Sequence, residues 1–357
     1  MEQAPTPTAA ATMPSQPVEK KRYEWIDNAR IVAAFLIMYV HFSLITDYDA
    51  PYTKNNLFAL FLTTTLNARV PFFLILAGYF LSRNITWKKA FDRFLWLLIP
   101  FLVWNLIYFI LLKGELPLTV DDFSCLIGIK YVFSNKVCIH ETFACSPIIG
   151  PSWFLRDIML MSLLTPVLIR FKKYLFPFLL VLASGTNIST QSAADILFAP
   201  ANVMFYLLGV ALSDFKISDI YRIFNKSFIK YGVAGILFAV YNSVRYPGHW
   251  LQFTFCGTVF GALLIGYSGY LIERYLPTLS KHLAPCAPVC FLVFMLHMPV
   301  FTFLKMFLPH AVFTCKVSML IPVLLFILLS VFYFAMKKYA PFLLPYLAHV
   351  KVPRKVK

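Results

Sequence analysis

The stretch IDNARIVAAFLIMYVHFSLIT, residues 26–46, decides how the rest of the chain is read. Between Arg30 and His41 stand ten residues, Ile31 to Val40, and none is charged. About 20 mostly apolar residues cross the hydrocarbon of a bilayer as a helix rising about 1.5 Å per residue. The stretch has that length, yet it carries two ionisable side chains deep in the run. By insertion scales an Arg at mid-bilayer costs about 2.5–3.5 kcal/mol, so such a group needs a reason. A separation of 11 positions turns a helix three times plus about 20°, which puts both side chains on one face, roughly 16 Å apart along the axis. Arg30 falls near the end preceded by Lys20, Lys21 and Arg22; His41 falls toward the opposite half.

The composition agrees with a bilayer as solvent. Of 357 residues, 60% are hydrophobic and 13% charged, where soluble domains carry about 25% charge. The 37 Phe, 19 Tyr and 6 Trp suit lipid-facing and interfacial positions. The net charge of +16 fits cytoplasmic loops rich in Lys and Arg better than nucleic acid, for which no basic-aromatic motif is present. Residues 1–22 read as a disordered cytoplasmic tail ending in basic residues, without the pattern of a cleaved signal.

The hydropathy pattern predicts an all-α integral membrane protein with ten spans near 26–46, 57–82, 91–112, 152–169, 173–186, 196–213, 228–246, 251–272, 288–308 and 317–336. They form a membrane domain over 23–340, followed by a basic tail over 341–357. With both termini cytoplasmic, and residues in the end three positions of a span counted with the adjoining loop, 22 of the 32 Lys and Arg fall inside, 6 outside and 4 deeper within spans, which is the expected asymmetry. The outer loop 113–151 holds Cys125, Cys138 and Cys145, and Cys315 lies in another outer loop; on an oxidising side at least two of these are expected to pair. No cysteine spacing suggests a zinc site, and nothing in the pattern reports an oligomeric state.

Each buried ionisable group has a bland reading beside the chemical one. Arg30 can snorkel to the inner headgroups. His41 can bond between helices. Arg69, in Asn67-Ala68-Arg69-Val70-Pro71-Phe72-Phe73, can pair with Asp157 or Asp195; alternatively Pro71 loosens the helix there and Arg69 lines a cavity. Arg156 and Asp157 are neighbours, so they are expected to point apart. His297, mid-span, reads as a satisfied core histidine. The shared face of Arg30 and His41 favours a polar cavity for both.

Four segments resemble the membrane acyltransferase-3 family. The Arg30-to-His41 run looks like the family's arginine-to-histidine signature in its first span. Val70-Pro71-Phe72-Phe73-Leu74-Ile75-Leu76-Ala77-Gly78-Tyr79 resembles its Val-Pro-x-Phe-Phe-x-x-Ser-Gly-Tyr segment, departing at Leu74 and Ala77. Ser152-Trp153-Phe154-Leu155-Arg156-Asp157 resembles its Trp-Phe-Leu segment, and Leu296-His297-Met298-Pro299 its His-x-Pro. The resemblance covers about residues 23–336 in the family's order. It implies an O-acyltransferase of the bacterial inner membrane, drawing on acetyl-CoA or another acyl-CoA in the cytoplasm and acting on a surface glycan or glycolipid. The candidate catalytic residues are His41, Arg30 and Arg69. Trp153, Arg156, Asp157 and His297 are the candidate substrate-binding residues, and no bound cofactor or metal is expected. The rival reading is a transporter or exporter, which also buries ionisable groups, though the Arg-His-Arg set is confined to the first two spans with no second copy.

The charge asymmetry generates a prediction. In a cysteine-labelling scan of intact cells, positions in 113–151 are expected to react from outside and both tails only after permeabilisation; a 113–151 loop labelled only from the cytoplasm overturns the topology. Blocking free thiols before reduction in the same membranes is expected to leave at least two of the four outer cysteines unlabelled.

Overall fold

The structure of the protein is a computed structural model that describes residues 22–45, 68–113, 119–127, 148–175, 179, 200–226, 255–308 and 320–350. Among these residues there are helices and turns and no strand. The long helices are α1 (Glu24–Ile45), α2 (Arg69–Ser82), α3 (Trp87–Lys113), α5 (Trp153–Leu168), α6 (Pro200–Leu212), α8 (Phe255–Tyr275), α10 (Val289–Phe307) and α11 (Ile321–Tyr339). Short ones are α4 (Val120–Ile127), α7 (Ile217–Lys226), α9 (Pro277–Leu283) and α12 (Leu344–Leu347).

Five described helical stretches are long and apolar enough to cross a membrane: Glu24–Phe42, Trp87–Leu111, Gly150–Leu175, Val289–Phe307 and Ile321–Tyr339. Arg69–Ser82 and Asn202–Leu212 are shorter apolar helices, and α8 covers most of the expected span 251–272. The expected span 228–246 and most of 173–186 lie outside the described residues. One boundary differs. The expected spans 152–169 and 173–186 left a short cytoplasmic connection between them, but helix continues there, through a 3-10 turn over Ile169–Phe171 to Leu175. The basic residues that suggested a loop, Arg170, Lys172 and Lys173, sit on helical backbone at its end.

The surface is that of a protein in lipid. Along α11, Leu324, Ile327, Leu328, Val331 and Phe332 are exposed, while Leu325, Phe326, Leu329, Tyr333 and Met336 are buried. A helix in water shows polar residues opposite its buried stripe. Here both faces are apolar, so the bare face suits hydrocarbon and the other the core.

Close helix contacts are made by small residues, as expected where lipid supplies no hydrophobic drive between helices. α2 and α6 cross at reciprocal glycines: a Cβ on Gly78 would strike the carbonyl oxygen of Tyr206, and one on Gly209 that of Ile75. Gly269 of α8 lies likewise against the Trp25 carbonyl of α1.

The pairings also fix direction. α1 runs parallel to α10, since Arg30 lies within electrostatic reach of Cys290 while His41 and Phe42 meet His297 and Phe301. α3 and α5 run antiparallel: Asn105 meets Ser152 at one end, and at the other Arg93 and Thr165 both approach Tyr206.

Short helices occupy segments read as loops because their charges masked an amphipathic pattern. In α7, Ile217 and Phe224 are buried while Arg222 and Lys226 are exposed. Phe224 packs edge-on against Trp25 at 5.5 Å between centroids, and the Tyr270 hydroxyl donates to Asn225 Oδ1 at 2.9 Å. α4 lies in the expected outer loop and includes Cys125; Cys138, Cys145 and Cys315 lie outside the described residues.

Gly209→Leu is expected to force α2 and α6 apart and destabilise the protein by about 1–3 kcal/mol or more, read as a lower unfolding temperature in detergent. Gly266→Ala is the control, because its Cβ would meet side-chain ring atoms and no backbone, Phe224 nearest at 3.3 Å and Trp25 at 3.8 Å.

Candidate active site

Arg69 opens α2, with Pro71 in the first turn. A first-turn proline gives up no intrahelical hydrogen bond. Pro71 therefore costs α2 no backbone hydrogen bond, and the residues before Ala68, where a loosened helix would have continued, lie outside the described residues. The start places a cation at the head of an apolar helix, within electrostatic reach of His41 on α1 and His297 on α10.

The two imidazoles meet. Their centroids are 5.0 Å apart, with the ring planes inclined at 46°. His41 is half-buried, whereas His297 is fully buried. His297 Nδ1 lies 2.5 Å from the carbonyl oxygen of Val293, one helical turn back. A carbonyl can only accept, so Nδ1 carries the proton of that bond. The other ring nitrogen, Nε2, is buried and has no hydrogen-bond partner among the described residues. His297 is thus only half satisfied, where the sequence suggested a fully satisfied core histidine.

Phenylalanines hold this cluster together. Phe294 of α10 stacks on Phe154 of α5 at 4.9 Å and 18°, and Phe73 of α2 meets Phe294 edge-on at 5.3 Å. Trp153 packs edge-on against Phe154. Phe73 of the segment Val70–Tyr79, Phe154 of Ser152–Asp157 and Phe294, two residues before Leu296–Pro299, therefore form one aromatic cluster. Sequence reasoning missed it, because one Phe among 37 gives no sign of which others it will touch.

The remaining candidates stand apart. Arg156 and Asp157, expected to diverge, pair: Arg156 Nη2 lies 3.3 Å from Asp157 Oδ1, and both side chains are buried. Their backbones diverge by about 100°, but the long Arg side chain bends back across that angle. Asn202 of α6 donates to the other Asp157 oxygen at 3.5 Å. Arg30 shares the His41 face but not its site. It sits 3.4 Å from Asp27, which also binds Arg22 at 2.6 Å, and remains partly exposed. A second buried network, also unread in the sequence, fixes the start of α5. Asn105 of α3 accepts the Ile149 N–H at 3.1 Å and contacts the Ser152 hydroxyl at 3.3 Å. Among the described residues, no three His, Cys, Asp or Glu side chains are grouped to hold a metal.

A cation and two histidines, one reachable and one enclosed, form a site able to take a proton from a hydroxyl and to offset a developing negative charge. The acyltransferase domain that defines the acyltransferase-3 family matches residues 23–337. The chain belongs to that family and is an acyltransferase, of a kind that transfers groups other than aminoacyl. No curated protein and no solved structure matches it.

Breaking the buried pair tests the structural side of this site. Arg156→Leu leaves Asp157 with Asn202 as its remaining described partner and is expected to cost about 3–5 kcal/mol. The measurement is thermal unfolding in detergent, where a large loss with no ligand present assigns the pair to the scaffold.

Proposed function

We propose that the protein is a membrane O-acyltransferase of the bacterial inner membrane. It would move an acyl group, acetyl first among them, from cytoplasmic acyl-CoA to a hydroxyl of a surface polysaccharide or glycolipid. The observation that supports this reading is the half-buried His41 lying against His297 within reach of Arg69, in a chain of an acyltransferase family.

The chemistry uses those residues in order. His41 takes the proton of the acceptor hydroxyl as its oxygen bonds to the thioester carbonyl carbon. Arg69 faces the oxyanion of the tetrahedral intermediate, where a fixed charge in a dry site is worth far more than in water. The carbon–sulfur bond then breaks, and the CoA thiolate takes the proton from His41. Arg30 lies about three helical turns from His41 along α1, among basic residues whose field attracts the phosphates of CoA. Its planar fork suits a phosphate, and its bond to Asp27 holds that fork in place.

Incubating the purified protein in lipid with radiolabelled acetyl-CoA and surface-glycan extract is expected to label the glycan. Folded His41→Ala is expected to lose about 10²–10⁴-fold in rate, and Arg30→Lys to lose much of its activity through a higher KM for acetyl-CoA. Near-normal turnover in His41→Ala overturns the base assignment. Absence of any transfer by the wild type overturns the donor.

A further inference from the structure

We infer that His297 is a positioning residue for this reaction: its Nε2 lone pair accepts an N–H from His41 and so fixes which nitrogen of His41 faces the substrate. The inference rests on the reading of His41 as the base.

Enclosure separates the two rings. His297 is fully buried and its Nε2 has no contact with solvent, so no acceptor hydroxyl reaches it. His41 is half-buried and reachable. Whatever His297 contributes passes through His41.

The hydrogen-bond inventory sets the direction. The Val293 carbonyl holds the His297 proton on Nδ1, which leaves Nε2 as an acceptor without a described donor. A buried polar atom left unpaired costs about 1–3 kcal/mol, so its persistence calls for a role. The donor of matching chemistry is the neighbouring imidazole. Two rings joined by an N–H···N bond of about 2.9 Å, each nitrogen about 1.1 Å from its centroid, have centroids about 5 Å apart. The observed separation is 5.0 Å, and a modest turn of the half-buried His41 ring aligns the bond.

The consequence is a tautomer. A neutral imidazole has one donor and one acceptor nitrogen. If His41 spends its N–H on His297, its other nitrogen bears the lone pair that takes the hydroxyl proton. A partner that orients a base in this way is the third member of the nucleophile–base–orienter logic. The proton balance is simple: it passes from the hydroxyl to His41 and on to the thiolate, while His297 neither gains nor loses one.

The test compares His297→Leu, which removes both nitrogens, with His297→Gln, whose amide oxygen can stand near the Nε2 position. Both are assayed as full-length protein in lipid, beside His41→Ala and the His41→Ala/His297→Leu double variant. The inference expects His297→Leu to lose tenfold or more in kcat at unchanged KM and unfolding temperature, His297→Gln to recover most of it, and the double variant to be no slower than His41→Ala alone. Near-normal kcat in His297→Leu, equal losses in Leu and Gln, or full additivity in the double variant overturns it. A 15N-histidine solid-state NMR spectrum decides the geometry without turnover: Nδ1 of His297 protonated and its Nε2 an acceptor supports the dyad, and the reverse tautomer overturns it. If the wild type transfers nothing from acetyl-CoA, the proposed function falls and the NMR result still stands.

Discussion

Hydrocarbon cannot solvate a polar group, so each one buried between these helices has to be satisfied by the protein itself. That constraint organises the interior. Asn105 bridges Ile149 and Ser152, Thr165 meets the Tyr206 hydroxyl at 2.6 Å, and Arg156 folds onto Asp157 with Asn202 behind it. Each bond joins or orders helices whose apolar faces alone would slide against one another as readily as against lipid. His297 Nε2 is one of several buried side-chain atoms without such a bond, as are Trp25 Nε1 and Thr258 Oγ1, and it is the one that lies beside another imidazole.

The same constraint explains why the histidines sit where they do. The parallel run of α1 and α10 sets His41 beside His297, and the phenylalanines 73, 154 and 294 lock α2, α5 and α10 around them. Reciprocal glycines let α2 approach α6 closely, which seats the α2 helix whose first residue is Arg69. Packing and chemistry are thus coupled: the contacts that exclude lipid from the helix junction also hold a cation and two imidazoles at fixed separations, the preorganisation that electrostatic catalysis requires.

Arg30 shows how a sound local inference meets a tertiary limit. Its face was right, because a helix rotates by a constant angle per residue and carries both side chains toward α10. Its company was not legible. Asp27, which also binds Arg22, holds its guanidinium at one end of α1, while His41 meets its partner at the other. Pro71 shows a related limit: a run of sequence does not say where within a helix a proline falls, and here it stands in the first turn of α2.

The sequence by itself determined the helical membrane class, the shared face of Arg30 and His41, and the four ordered segments that mark an acyltransferase-3 chain. Those are properties of composition, of fixed helical periodicity and of local runs, and none needs a neighbour. Only the tertiary structure decided that His297 leaves the core-packing class to join His41, that Arg156 bends back to Asp157, and that three of many phenylalanines meet. These depend on which helix lies against which and at what depth. Residues 41 and 297 are brought within 5.0 Å by packing between elements far apart in the chain, and a pattern read along one helix carries no record of the face it will meet.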